Sequence, residues 1–430
     1  MRKIVLSVLI LTMVMGCFCS CGGNKNNGDA NSILDGQVIK IVAWGDFEPK
    51  AGSELNDARI ERIAAAEEKY GCTVEFVTVS DIFAQMQLAA ASGEVLGDVL
   101  TTRAHYIGPL AATDALWSIE EIGDTTKDIY NADTFKNTET AGKSYGFWYD
   151  PYFVDQVLFF NKEILDRAGI EYPYELVKKG QWTYDAWLDI MKRTTDTGSE
   201  IMGCGMQQAF DTVVMKGNDA CIYAKKDEKW VQNTADSRVI DSLSFLADTV
   251  TKWKVMDDNS GRDWLYSLTR FAEGKYTTNI NGLSTTETYF KDMADDYGIV
   301  PIPKGPAATD YVRPALELKT YCIQKSVPRE KAVALMRFMD EAFSYPLDME
   351  TSVEAYYSSR VKDKESLEML KMLHEKPVKM VEEFTAPDIR GTEIITALEQ
   401  CSKGIAPVRS TLDSYAGKIQ ALLDEYYRQN

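Results

Sequence analysis

Histidine is almost missing from this chain, with 2 in 430 residues. His105 and His374 stand far apart without metal-ligand spacing, which excludes a His-rich zinc site and speaks against a His-dependent hydrolase. Positive charge is short as well. Lys and Arg number 47 against 65 Asp and Glu, a net charge of −18, and no basic cluster reverses the sign locally. A phosphate backbone repels such a surface, so nucleic acid is excluded as the main partner. The motifs HExxH, GxxxxGK[ST] and GxGxxG are absent. The stretch DDNSGRD, 257–263, has its Gly one place early for a calcium loop and lacks the closing Glu, so neither metal nor cofactor is expected. Beyond residue 21 the cysteines are Cys72, Cys204, Cys221, Cys322 and Cys401, an odd number without CxxC. No disulfide framework follows, although Cys204 with Cys221 stays open as a pair. Past the N-terminus no run approaches about 18 uninterrupted apolar residues, so the body is expected to be soluble.

What is present begins at the N-terminus. Arg2 and Lys3 precede Ile4 to Met15, which is apolar apart from Ser7 and Thr12. That run is too short to span a bilayer but suits a signal peptide. Val14-Met15-Gly16-Cys17 resembles the bacterial lipobox, which implies lipidation of Cys17; Cys21, after Phe18-Cys19-Ser20, is the alternative. One acyl chain anchors marginally and two or three anchor stably, since each buried CH₂ contributes about 0.8 kcal/mol. GGNKNNGDANS then reads as a flexible tether.

The folded body opens as strand, helix, strand, helix, strand. VIKIVAW (38–44), TVEFVTV (73–79) and GDVLTT (97–102) are β-branched runs, separated by helical periodicity up to Tyr70 and by IFAQMQLAAAS between the cap Asp81 and the stop Gly93. Short joints in this order define an open parallel α/β sheet, whose ligands sit beyond the carboxyl ends of the strands. That edge receives Trp44, Gly45, Asp46 and Phe47 after the first strand, and Thr101, Thr102 and Arg103 after the third. A second unit starts near residue 150. VDQVLFF (154–160) runs into the N-cap Asn161, and Thr183 starts the helix YDAWLDIMKRTT. Further strands are expected at 276–280, 297–303 and 315–323, with a helix over 330–341 and a helical C-terminus.

From DQVLFFNKEILDRAGI through GQWTYDAWLDIMKR, the sequence resembles the extracellular solute-binding proteins of bacterial ABC importers, family 1, which includes maltose-type oligosaccharide binders. GDV at the third strand, FAEGKYTTNING, YGIVPIPKGP and SVPREKAVALMRFMDEAF extend the likeness over most of the chain. The resemblance implies an α/β, two-lobe, type II periplasmic-binding-protein fold, each lobe a mostly parallel sheet flanked by helices. The expected division is a signal peptide over 1–16, a tether over 17–35, lobe I over 36–149 plus 315–345, and lobe II over 150–314 plus 346–430. Tyr149-Asp150-Pro151 and the stretch around Arg313-Pro314 would be hinge strands. It further implies a monomer on the outer face of the cytoplasmic membrane that binds a small-molecule solute of carbohydrate type and hands it to permease subunits. One departure concerns the ligand. After Asn281-Gly282 comes Leu283-Ser284 rather than an aromatic residue, which weakens the case for a maltodextrin-like glucan.

A carbohydrate cleft needs aromatic faces against pyranose C–H groups and polar groups fixing the hydroxyls. The 22 Tyr and 8 Trp supply the faces. The candidate ligand-binding residues are Trp44, Asp46, Thr102 and Arg103 at the first edge and Trp264 after the polar loop, with Asn281 at its strand end. Trp148, Tyr149, Arg313 and Glu317 join them at the hinges; Trp148 and Tyr149 either face ligand or pack the hinge. Trp182, Trp187, Trp230 and Trp253 read as packing, the last three on helical stretches. The rival classes are a glycoside hydrolase-like lipoprotein and a binder of a non-sugar solute such as a peptide.

Overall fold

The computed structural model describes residues 30 to 427 except 53, 151–153, 208, 228, 317, 346–348, 382–388 and 390–391. Cys17, Cys21 and Glu317 therefore lie outside the described residues, as does Pro151. The strands that carry the architecture are β1 (Val38–Ala43), β2 (Thr73–Thr78), β3 (Val99–Arg103), β4 (Gln156–Asn161), β5 (Met202–Gly205) and β6 (Met256–Asp257). They continue as β7 (Tyr276–Gly282), β8 (Tyr297–Val300), β9 (Arg313–Ala315), β10 (Lys319–Cys322) and β11 (Val378–Met380).

The first sheet has the order β10-β3-β1-β2, parallel except for β10, which returns antiparallel on β3. From Ile41 on, its central strand β1 is buried on both faces, while Val38 and Lys40 at its start are exposed. Ile39 and Ile41 pack with the helix Arg329–Phe343 on one side, while Val42 packs with Ile82, Met86 and Leu100 on the other. A strand covered on both faces reads as a continuous apolar run, which is why VIKIVA was legible. The helix Ile82–Ser92 obeys its end signals: the Asp81 carboxylate accepts the Ala84 N–H, and Gly93 adopts a φ of 73°.

The second sheet has the order β6-β5-β7-β4-β8. β6, β5 and β7 are mutually parallel, but β4 runs antiparallel to both β7 and β8, so this lobe is more mixed than expected. Asn161 ends β4 and caps the next helix through Ile164 N–H. Trp182 and Trp187 are core, as read; the Trp182 indole donates to the Pro301 carbonyl at 2.8 Å. Two tryptophans differ from expectation. Trp230 lies on a hairpin strand, Lys229–Gln232, against Tyr223, and Trp253 is exposed, with the Lys192 ammonium 3.2 Å from its ring centre. The strand expected over 315–323 is split into β9 and β10, because β9 leaves to pair with β11.

The chain passes between the two sheets three times: after Tyr149, between β8 and β10, and after the helix Arg329–Phe343. Ion pairs and hydrogen bonds fasten these passages. Arg59 meets Asp150 at 3.4 Å, Arg313 meets Asp133 at 2.7 Å, and the Asp155 carboxylate accepts the Leu316 N–H at 2.7 Å. All five described cysteines are free thiols, which closes the question of Cys204 with Cys221; burial pushes the Cys204 thiol up to about 12 and keeps it unreactive.

Candidate functional site

At the carboxyl edge of the first sheet, β1 delivers Trp44 and β3 delivers Arg103, while the antiparallel β10 brings Lys319 opposite Arg103. The Arg103 guanidinium lies 4.8 Å from the Trp44 ring centre, Phe47 meets Trp44 edge-on at 4.7 Å, and Lys319 sits 5.0 Å from the Phe47 ring. Two rings and two cations thus form one cluster at the edge. Asp46 is beside them, exposed, and held 3.4 Å from Lys50.

The second sheet presents the matching edge. Because β5, β6 and β7 are parallel, Met206-Gln207, Asp258-Asn259 and Asn281 all emerge on the same side. Gly205 ends β5 because the Tyr276 ring crosses its α-carbon so closely that a β-carbon would collide with it. That approach sets the Tyr276 hydroxyl 2.8 Å from both Asp257 Oδ2 and Asn259 Oδ1, which share its single proton. Burial, and then the Asp257 carboxylate, raise the Tyr276 phenol far above its ordinary value, so it stays a donor. Asn281 Nδ2 donates to Gln207 Oε1 at 2.6 Å, tying two strand ends together.

Around these ends lies a cavity of about 410 Å³, within the usual range for a small-molecule site. Gln207, Phe210, Asn259 and Trp264 line it, with Glu399 and Lys403 from the C-terminal helical region. Trp264 starts the helix Trp264–Ala272, whose cap Asp263 accepts the Tyr266 N–H at 3.1 Å. Its ring is 56% exposed and braced edge-on by Tyr289 at 5.8 Å. The DDNSGRD loop is thereby explained: Asp257 holds Tyr276, Asn259 Nδ2 donates to the Met206 carbonyl, and Asp263 caps a helix.

Other candidates are spent internally. Tyr149 is buried and its hydroxyl donates to Asp340 at 2.8 Å, alongside Tyr130 at 2.7 Å, so it packs the first passage. Trp148 stacks on Tyr321 at 4.6 Å and is half-buried. Thr102 is fully buried within β3, as is its neighbour Thr101 on the opposite face, because both faces of this strand are covered. Arg313 is 5% exposed and paired with Asp133, a fastening between lobes rather than an open ligand contact. The structure therefore brings together Trp44, Arg103 and Asp46 on one edge, and Trp264 beside the cavity with Asn281 on the other.

Sequence reasoning missed Gln207, Phe210, Glu399 and Lys403. Gln207 had a signal, since it follows a strand end like Trp44; Phe210, Glu399 and Lys403, on helices or at a helix end, had none, being brought in by tertiary packing. Residues 142–146, GKSYG, match GxSxG, but Ser144 ends a short hairpin and its N–H donates to Glu120. A nucleophile elbow needs a strand–turn–helix, which is not formed there.

Two α/β lobes with paired ring-bearing carboxyl edges and repeated crossings define the architecture of a two-lobe solute-binding protein. The family profile of bacterial extracellular solute-binding proteins matches residues 51–342, more than half the chain, and the chain belongs to that family. Its fold is similar to an ABC substrate-binding protein from Listeria monocytogenes in complex with cycloalternan, at 16% identity and TM-score 0.68, covering 92% of this chain and 100% of that one. It is also similar to a maltose/maltodextrin-binding domain from Bdellovibrio bacteriovorus bound to maltotriose, at 16% identity and TM-score 0.61, covering 91% and 100%. UgpB from Mycobacterium tuberculosis, in complex with glycerophosphocholine, is similar at 17% identity and TM-score 0.64, covering 90% and 98%. No match was found among curated protein sequences. The family and these neighbours are binding proteins, not enzymes, and among the described residues no helix is long and apolar enough to cross a membrane.

Proposed function

We propose that this chain is the membrane-anchored solute receptor of an ABC importer, which captures an extracellular sugar or oligosaccharide between its two lobes and delivers it to the permease. The observation that carries the reading is a tryptophan flanked by charged or amide groups near the carboxyl edge of each sheet: Trp44 with Arg103 just past β1, and Trp264, at the start of its helix, beside Asn259 and Gln207. A pyranose offers an apolar face and a hydroxyl rim, which is the complement of such a pair. Lobe I comprises 36–149 plus 315–345 and lobe II 150–314 plus 346–430. The passages at Tyr149, Arg313 and Tyr345 act as the hinge, and closure brings the two edges onto the solute. A thermal-shift screen against mono- and oligosaccharides tests this. A solute at about 100 times its dissociation constant stabilises the folded state by about 2.7 kcal/mol, and a panel with no stabilising saccharide contradicts the reading.

Anchoring rests on the lipobox-like sequence alone. Cys17→Ala is expected to release the protein into the medium, because the polar tether has no membrane affinity of its own. Retention of acyl chains in that variant would move the anchor to Cys21.

A further inference from the structure

The second passage changes sheets over a short span. On its near side the Ala315 carbonyl accepts the Val381 N–H at 3.0 Å, where β9 pairs with β11. On its far side the Leu318 carbonyl accepts the Ala104 N–H at 2.8 Å, at the end of β3. The pivot therefore lies between Ala315 and Leu318. One side chain holds its start: Asp155, half-buried immediately before β4, accepts the Leu316 N–H on Oδ2 at 2.7 Å. The same residue holds the end of β7. Its main-chain carbonyl accepts the Leu283 N–H at 2.8 Å, two residues beyond Asn281. A β-carbon on Gly282 would stand 3.2 Å from Asp155 Oδ1, so glycine lets the carboxylate lie against this strand end. Gln156, 2% exposed, donates its amide N–H to that Oδ1 at 3.1 Å and sets the orientation of the carboxylate.

Resting on the capture reading above, we infer that Asp155 is a positioning residue that links the solute edge of the second sheet to the pivot of the second passage. A solute seated against Asn281 loads the β7 end, and the Leu283 and Leu316 bonds carry that load to the pivot. The carboxylate makes a firm fixing point, because charge-assisted hydrogen bonds are about twice as strong as neutral ones. Without it the pivot is free to begin earlier, and the closed arrangement becomes a smaller share of the ensemble. Apparent affinity then falls in proportion to that share.

Hydrogen exchange of the full chain read by peptide, with and without maltotriose, cellotriose and tri-N-acetylchitotriose, tests this beside calorimetric titration. In the native protein, a saccharide that binds is expected to slow exchange over both 276–285 and 313–322. Asp155→Ala should bind it at least about fivefold more weakly, and at saturation exchange should slow over 276–285 alone. Asp155→Asn keeps an oxygen for the Leu316 N–H, so it should restore the slowing over 313–322 and an affinity within about twofold of native. A saccharide that binds the native protein without slowing exchange over 313–322 overturns the inference and leaves sugar capture standing; this arm needs no variant to fold. Native affinity and native slowing in Asp155→Ala also overturn it, whatever the melting temperature, because the residue then serves stability alone. So does an Asp155→Asn variant as impaired as Asp155→Ala. If no saccharide binds the native protein, the inference and the capture reading fall together.

Discussion

Trp187→Ala is expected to lower the unfolding free energy by about 3 to 5 kcal/mol, the usual cost of truncating a fully buried large aromatic side chain. Trp187 is 0% exposed, between the helix Tyr184–Thr194 and β7, with Phe210 and Phe245 around it. Its indole donates to Thr278 Oγ1 at 3.0 Å, and that hydroxyl donates on to the Gly203 carbonyl at 2.7 Å. The substitution therefore leaves a cavity and removes one donor from a buried chain of hydrogen bonds linking β5, β7 and a helix. Urea unfolding followed by circular dichroism measures the loss. A change below about 1 kcal/mol would mean that the second lobe's core does not close on this side chain.

The opposite profile is expected for Trp264→Ala. With 56% of its surface exposed and only an edge on Tyr289, the ring adds little to folding, and stability should move by no more than about 0.5 kcal/mol. Binding should suffer instead. Stacking a sugar ring on an indole contributes on the order of 1 to 3 kcal/mol, which is roughly a tenfold to hundredfold change in affinity. Trp44→Ala should lose affinity by a similar factor together with some stability, since Trp44 is half-buried and carries Arg103 and Phe47. Titration of both variants with the saccharide that most stabilises the native protein separates the roles. Unchanged affinity in both would place capture away from the carboxyl edges.

Much of the fold was legible because its signals are local. β1, β2 and the helix Ile82–Ser92 follow from apolar runs, the Asp81 cap and the Gly93 stop, each decided within a few residues. The antiparallel entry of β4 was not legible, because strand direction depends on a partner more than 100 residues away in sequence. The first edge of the site was half readable. Strand ends named Trp44, Arg103 and Thr102 alike, but β3 is covered on both faces as far as Thr102, while Trp44 lies past the last ladder bond. Tyr149 misled for a different reason. An aromatic cluster at a lobe boundary serves packing and ligand equally well on paper, and the distinction came from Asp340, nearly 200 residues on, which takes its hydroxyl.

X-ray scattering of the full chain, with and without the saccharide that most stabilises it, tests the central claim most directly. Capture between the lobes predicts a smaller radius of gyration when that saccharide saturates the protein, because closure about the three passages buries both edges. An unchanged radius at verified saturation, in a protein that is open before addition, would contradict capture by closure.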